Sequence, residues 1–335
     1  MTIPVRLEKD GYSVTLEKGA LKRAGEIFDL ERKVFIVTDS GVPREYALCV
    51  AHGAGEYYLE TIPAGEGSKN MDTYAHILSD MLSFGMKRGD CVVSVGGGVA
   101  GDIAGFAAAT YMRGVDFYNV PTTLLAMVDA SVGGKTAIDL NGVKNAVGAF
   151  YQPKAVLADP EVLSTLDKRQ LGAGMAELIK MAVTFDEGLF SRLENEQPEP
   201  DGLSELIERA IEIKAEVVEK DEREAGLRRA LNFGHTIGHA IESAAGGALL
   251  HGECVAMGML PMCSDKAAAR LRAVLEKYSL KTHIPFDAAT LEPYIRHDKK
   301  ACTGGINAVT VENAGSFEMK KMTVEEILSR LGETK

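Results

Sequence analysis

Cys91-Val92-Val93-Ser94-Val95-Gly96-Gly97-Gly98-Val99-Ala100-Gly101-Asp102 is the stretch on which the fold turns. Its valine-rich start reads as a strand, its triple glycine as a turn, and the residues from Asp102 to Met112 as a helix. Gly96, Gly98 and Gly101 satisfy G-x-G-x-x-G. Glycines there let backbone N–H groups approach a pyrophosphate, and the start of a helix adds a partial positive charge. The alternative is a tight strand-to-helix turn that binds nothing; the strand-turn-helix context favours a dinucleotide. Two features depart from the ordinary Rossmann pattern. The loop follows the third predicted strand, and no acidic residue sits at the usual spacing, Asp116 being too early and Asp129 too late. Asp39, at the end of an earlier strand, is the better ribose ligand.

Outward from that loop, β-branched runs at 34–38, 57–62, 91–95, 115–120 and 155–157 alternate with helical windows at 18–30, 68–84 and 102–112. Alternation of this kind predicts α/β layering on a mainly parallel sheet. Beyond Asp159-Pro160 the strands nearly vanish, and helical windows follow at 168–185, 203–224, 230–245 and 252–278. A weak strand pair returns at 306–311 and 316–319. The predicted organisation is an N-terminal, Rossmann-like α/β dinucleotide-binding domain over 1–160, then a mostly α-helical metal- and substrate-binding domain over 161–335. Residues 195–202, with Pro198 and Pro200, read as a loop between two helices.

The chain has 335 residues, about two domains' worth, with 46% hydrophobic and 25% charged residues. A disordered, collagenous or membrane-spanning class does not fit. Lys plus Arg is 37 against 48 Asp plus Glu, a net charge of −11, which repels phosphate backbones and anionic lipid and argues against a nucleic-acid partner. Cys49, Cys91, Cys254, Cys263 and Cys302 are scattered, with no Cys-x-x-Cys, so neither a disulfide framework nor a thiolate zinc site is indicated. With no apolar leader at the N-terminus, the reading is a cytoplasmic protein.

Several charged residues stand where apolar ones belong. Residues 174–183 are apolar all round except for Glu177 and Lys180, which share a face three residues apart. Isolated buried ions cost several kcal/mol or more unless paired or metal-bound, so the alternatives are an internal ion pair or a functional site. Lys214 falls on the stripe of Leu203, Ile207, Ala210, Ile211 and Val218; a lysine snorkelling at the rim is the plain alternative. His235 and His239 lie four apart on one helical face, and His251 follows. Thr236 stands where H-E-x-x-H needs glutamate, so no metalloprotease follows, but three histidines plus Glu177 make a His₂Glu metal site a serious reading. Spacing alone selects His235 and His239 as ligands. Gly133-Gly134-Lys135-Thr136 imitates the end of a Walker A loop, yet Asp129 stands where that motif needs glycine, which disfavours a kinase or ATPase.

Taken together, Gly96 through Asp102, Tyr111-Met112-Arg113-Gly114, Pro121 through Ala126, Val128 through Thr136, Lys144-Asn145, Gly148 through Pro153, Ala176-Glu177-Leu178-Ile179-Lys180 and Leu231 through His239 resemble the 3-dehydroquinate synthase family. The resemblance runs from about Asp39 to Lys300. It implies a dehydroquinate synthase-like fold and a shikimate-pathway enzyme, a carbon–oxygen lyase. The implied reaction turns 3-deoxy-D-arabino-heptulosonate 7-phosphate into 3-dehydroquinate and phosphate, using NAD and a divalent metal, zinc or cobalt, in a homodimer. A related sugar-phosphate cyclase, or a metal- and NAD-dependent polyol dehydrogenase, is the alternative.

Carried over position by position, the resemblance implies Glu177, His235 and His251 as metal ligands, in place of the pair that spacing selects. It implies cofactor contacts from Asp39, Glu66, Lys69, Gly98, Val99, Gly101, Asp102, Thr122, Thr123, Lys144 and Thr165. Substrate contacts are implied for Asp129, Lys135, Asn145, Lys180, Lys214, Arg228, Asn232 and His239, with one of Lys299 or Lys300, and Arg113 reaching across the dimer. Met127, Ala130 and Cys254 depart from the family's usual residues without touching an implied ligand.

Overall fold

A computed structural model describes residues 1–196, 202–300 and 305–333, with side chains omitted at 297–300 and 332–333. The expected loop at 195–202 lies largely outside the described residues, as does Cys302. The chain divides into two compact units, Met1–Leu166 with Lys214–Glu222, and Asp167–Ile213 with Arg223–Lys335.

The strands of the first unit are β1 (Thr2–Val5), β2 (Tyr12–Leu16), β3 (Lys33–Asp39), β4 (Glu56–Ile62), β5 (Cys91–Gly96), β6 (Asp116–Pro121), β7 (Lys135–Leu140), β8 (Val143–Phe150) and β9 (Ala155–Ala158). Its helices are α1 (Ala24–Ile27), α2 (Arg44–Ala51), α3 (Met71–Ser83) and α4 (Gly98–Thr110). Seven strands form one sheet in the order β1-β2-β9-β6-β5-β3-β4, parallel throughout except for the β1–β2 edge. Val34 to Val37 on β3 and Val92, Val93 and Val95 on β5 are fully buried, as a strand covered on both faces requires. From β3 the chain steps outward to β4 and then back across β3 to β5, so the order reverses between β3 and β5. In open α/β sheets the crevice beyond the carboxyl ends of the strands at such a reversal is where ligands bind. Asp39 ends β3, and the glycine loop ends β5.

The β7–β8 hairpin turns through Asn141-Gly142, where both residues have positive φ (52° and 78°). That dipeptide is the usual turn for a two-residue hairpin loop, a signal the sequence reading above did not use. Strands β1 and β2 and helix α2 also go unforeseen, each being too short for a periodic pattern to stand out. Helix α4 starts at Gly98, four residues before the expected Asp102, so the motif's second and third glycines are themselves helical.

Helices dominate the second unit: α5 (Lys168–Phe185), α6 (Glu187–Asn195), the first part of α7 (Gly202–Lys220), α8 (His235–Ala245), α9 (His251–Met259), α10 (Asp265–Lys277), α11 (Ala288–Lys300) and α12 (Val324–Glu333). The hairpin of β10 (Ile306–Thr310) and β11 (Glu318–Met322) accompanies them. The window expected at 230–245 breaks at Phe233-Gly234, where Gly234 adopts φ 77°. The window expected at 252–278 breaks after Met262, behind Pro261, because proline denies the ladder a donor. Glycine brings the surviving helices together. A Cβ on Gly252 of α9 would meet the Ala173 carbonyl oxygen of α5 at 2.0 Å, and one on Gly258 would meet the Gly234 oxygen at 2.3 Å and the Gly238 nitrogen, on α8, at 2.6 Å. Among the described residues no helix is long and apolar enough to cross a membrane.

Candidate active site

The first unit carries one set of the expected residues around the α4 N-terminus. Gly97 is the N-cap, and no side chain caps the helix, so the first-turn N–H groups at Gly98 and Val99 remain available to an anion. Close approach also depends on glycine here: a Cβ on Gly96 would come within 3.4 Å of Asp39 Oδ2, and one on Gly97 within 3.2 Å of Thr123 Cγ2. Asp39 Oδ1 accepts from the Gly41 N–H at 2.8 Å, which orients the carboxylate above Gly96. The Thr122 N–H donates to the Gly96 carbonyl at 2.9 Å. Lys69 is buried, donates to Asp102 at 2.7 Å and lies 3.5 Å from Glu66. Burial pushes the Asp102 carboxyl up to about 6 although Lys69 opposes it.

Asp129 sits in a π-helical turn, Ala126–Ala130, a distortion frequent at functional sites. Lys214 of α7 pairs with it. The lysine is 6% exposed and therefore no snorkelling residue, which answers the puzzle of its apolar stripe. Lys135, Lys144 and Asn145 are exposed on β7 and β8, and the Asn145 N–H donates to Asp139 at 2.8 Å. The Asp139 N–H in turn donates to the Lys69 carbonyl at 2.8 Å, tying the hairpin to the lysine. Thr165 lies apart from the glycine loop's bonds, its hydroxyl 3.0 Å from that of Tyr46 on α2. Arg113 is exposed, and it and Met112 both hold positive φ, 71° and 49°. Two consecutive non-glycine residues in that region cost roughly 1–2 kcal/mol each.

The second unit gathers the other set. Glu177 and Lys180, 0% and 1% exposed, form the buried ion pair that their spacing allows. His235 and His251 bring their Nε2 atoms to 3.9 and 3.6 Å from the second Glu177 oxygen, Oε1. His239 completes a triangle of imidazoles with ring centroids 5.2 to 5.6 Å apart. The three histidines can present one nitrogen each within 4.8 Å of one another, so the pair that spacing selects and the pair that the resemblance implies lie in one cluster.

Proton positions follow from the second ring nitrogens. His235 Nδ1 lies 3.2 Å from the Phe233 carbonyl, to which its N–H donates, leaving the Nε2 lone pair facing Glu177. Burial, then Lys180 and the neighbouring histidines, hold the His235 pKa well below the ordinary value, so the ring is neutral. Burial also opposes a charge on His251, but the bond to Glu242 and the charges of Glu177 and Glu242 outweigh it and raise its pKa. Tetrahedral zinc with bonds of about 2.0–2.2 Å sets its ligand atoms roughly 3.3–3.6 Å apart. Two imidazole nitrogens and a carboxylate oxygen suit that donor set: His251 Nε2 stands 3.6 Å from Glu177 Oε1, inside the range, and His235 Nε2 stands 3.9 Å away, just beyond it.

Arg228 is fully buried in the 3₁₀ turn Leu227–Asn232, and Asn232, in the same turn, is exposed and donates to Glu224 at 2.7 Å. The side chains of Lys299 and Lys300 lie outside the described residues. Two acidic residues escape the sequence reading. Glu224 holds φ 59° while accepting from Asn232, and Glu242 meets His251. The signal for Glu242 was present: His235, His239 and Glu242 follow a four-then-three spacing that places them on one face of α8.

Two family models cover most of the chain, the 3-dehydroquinate synthase N-terminal model over residues 59–173 and the C-terminal model over 174–301. A 3-dehydroquinate synthase of Pelobacter propionicus is 39% identical over 354 residues, spanning 98% of each chain. The chain belongs to the 3-dehydroquinate synthase family. Solved structures agree with that membership in fold. A 2-deoxy-scyllo-inosose synthase complexed with carbaglucose-6-phosphate, NAD⁺ and Co²⁺ superposes with a TM-score of 0.90 at 25% identity, over 99% of each chain. A 2-epi-5-epi-valiolone synthase from Streptomyces hygroscopicus subsp. jinggangensis 5008, with NAD⁺ and Zn²⁺ bound, gives 0.89 at 28% identity over 98% of each.

Proposed function

We propose that the chain converts 3-deoxy-D-arabino-heptulosonate 7-phosphate to 3-dehydroquinate and phosphate, with NAD and a divalent metal. Membership of the 3-dehydroquinate synthase family over nearly the whole sequence carries this reading. The 2-deoxy-scyllo-inosose and 2-epi-5-epi-valiolone synthases stand further off, at 25% and 28% identity against 39%. Their bound NAD⁺ with Co²⁺ or Zn²⁺ supports the same cofactor pair here. Zinc and cobalt are the candidate metals.

When bound, NAD takes and returns a hydride at C5, and the divalent ion withdraws electron density from the C4 and C5 hydroxyls. In our reading the residues 1–160 hold the dinucleotide. Asp39 takes the ribose hydroxyls, and the first-turn amides at Gly98 and Val99 take the pyrophosphate. Gly101, Thr122 and Thr123 shape the cradle, and Glu66, Lys69, Asp102, Lys144 and Thr165 surround it. Residues 161–335 hold metal and substrate through Glu177, His235 and His251. The neutral state of His235 favours this role, since a metal needs the lone pair.

Oxidation at C5 would acidify the C6 proton, so that phosphate could depart with it; reduction at C5, ring opening and aldol closure would then complete the carbocycle. Lys135, Asn145, Asn232 and His239 would hold the departing phosphate by charge-assisted bonds, and Arg228 would take the C1 carboxylate as a fork. Lys180 and the Asp129–Lys214 pair supply charge beside the polyol. Arg113 from a second copy would complete the site in a homodimer. The cytoplasm is the proposed compartment, in keeping with the free cysteines at 49, 91, 254 and 263.

Incubation of the protein with the heptulosonate phosphate, NAD⁺ and Zn²⁺ or Co²⁺ tests the reading. Stoichiometric phosphate release without lasting absorbance at 340 nm supports it, as does reversible loss on chelation. Accumulating NADH without phosphate release would instead establish a polyol dehydrogenase.

A further inference from the structure

His235 and His251 are held in different ways. The Nδ1–H of His235 donates to a main-chain carbonyl, that of Phe233, which no side-chain substitution removes. The Nδ1–H of His251 donates to a side chain, the carboxylate of Glu242 at 3.1 Å. His251 is also the more exposed of the two, its side chain 33% accessible against 12%. Its ring therefore depends more on its partner for its orientation.

We propose that Glu242 is a positioning residue of the metal centre, setting both the tautomer and the aim of His251. The proposal rests on the reading of Glu177, His235 and His251 as ligands. A carboxylate accepting from Nδ1–H fixes the proton on that nitrogen, which turns the Nε2 lone pair toward Glu177 Oε1 at 3.6 Å. Its negative charge also makes the imidazole a stronger donor to a cation. Two helices share the device, since Glu242 lies on α8 and His251 opens α9. The main chain of His251 is anchored separately. Glu253, the third residue of α9, accepts from the Leu250 N–H at 2.8 Å and is clamped by Arg169 at 2.6 and 2.9 Å. With the backbone so fixed, loss of Glu242 removes the acceptor from the His251 ring and leaves the helix start in place.

The test compares wild type, Glu242→Ala, Glu242→Gln and His235→Ala by zinc affinity against a chromophoric chelator, by the visible spectrum of the Co²⁺ form, and by melting of the metal-free protein. Glu242→Ala should bind zinc about 10- to 100-fold more weakly and change the Co²⁺ bands, with the metal-free melting point and NAD⁺ affinity unchanged. Glu242→Gln should fall between, because an amide oxygen still accepts from Nδ1–H but brings no charge. Zinc affinity in Glu242→Ala within twofold of wild type, with an unaltered Co²⁺ spectrum, would overturn the proposal. So would equal losses in both variants accompanied by a lower metal-free melting point, which mark general damage to the fold. His235→Ala separates this from the reading beneath it. If that variant loses the metal while Glu242→Ala does not, only the role of Glu242 falls; if it binds zinc as wild type does, the ligand assignment falls and the proposal with it.

Discussion

Gly252→Ala sets two physical effects against each other within one methyl group. Gly252 is the second residue of α9, and its backbone needs no left-handed conformation. Helix propensity alone predicts a gain of about 0.8–1.0 kcal/mol from alanine. Packing predicts the reverse: the new Cβ would stand 2.0 Å from the Ala173 carbonyl oxygen and 2.6 Å from its carbon, where ordinary contact begins at 3.4 Å. The shortfall of about 1.4 Å is met by backbone, which yields little, and overpacking of this kind costs typically ~1–3 kcal/mol. The expected net result is a loss of stability. A second consequence follows because Ala173 lies one turn before Glu177 on α5. If α9 retreats by most of that shortfall, the 3.6 Å between His251 Nε2 and Glu177 Oε1 grows to nearly 5 Å. Two metal bonds of about 2.1 Å span at most ~4.2 Å, so one ligand is lost unless the helices relax. Zinc affinity should fall at least tenfold, about 1.4 kcal/mol. Denaturant unfolding of the metal-free protein and chelator competition measure the two effects. A metal-free variant more stable than wild type that binds zinc equally well would refute the packing argument.

Lys214→Ala should strongly reduce turnover and lower the melting temperature, since it removes the buried cation that pairs with the half-buried Asp129; loss of one partner of such a charged bond costs roughly 1–3 kcal/mol. Unchanged melting with normal phosphate release would show that the pair is dispensable. For Asp102 the folded pKa, about 6, lies above the ordinary 3.8, so its contribution to stability is full below about pH 4 and is lost as pH rises through 6. Asp102→Asn should flatten the stability profile relative to wild type across that window, and parallel profiles would sink the idea. Burial pushes the thiols of Cys91 and Cys263 up to about 12, so iodoacetamide at pH 8 should leave both unlabelled in the folded protein, as peptide mass spectrometry would reveal. Labelling of either faster than global unfolding would contradict that burial.

What could be read beforehand was whatever repeats with a period. The five runs at 34–38, 57–62, 91–95, 115–120 and 155–157 correspond to β3, β4, β5, β6 and β9; β3 and β5, covered on both faces, are continuous apolar runs, whereas the half-exposed edge strand β4 shows through its aromatic and β-branched residues. Lys168–Phe185 agrees at both ends with its window, helped by Asp167 as N-cap, which accepts from the Arg169 N–H at 2.8 Å. Breaks inside helices are harder to see, since Gly234 and Pro261 interrupt windows whose apolar spacing continues through them. The buried Glu177–Lys180 pair was legible from composition alone, as charges in an apolar decamer. The partner of Lys214 was not, because Asp129 lies 85 residues away and only tertiary structure joins them. Spacing could favour His235 with His239 but held no information about His251, whose approach depends on helices crossing at Gly234, Gly238 and Gly258.

The division of the chain has a consequence for how this enzyme could arise or be dissected. Residues 214–222 are counted with the first unit although both flanking segments belong to the second. A stop codon after Leu166 would remove Lys214 and with it the ion pair to Asp129. Neither unit is thus a contiguous gene segment, and a single recombination crossover near 166 could not exchange one intact unit for another.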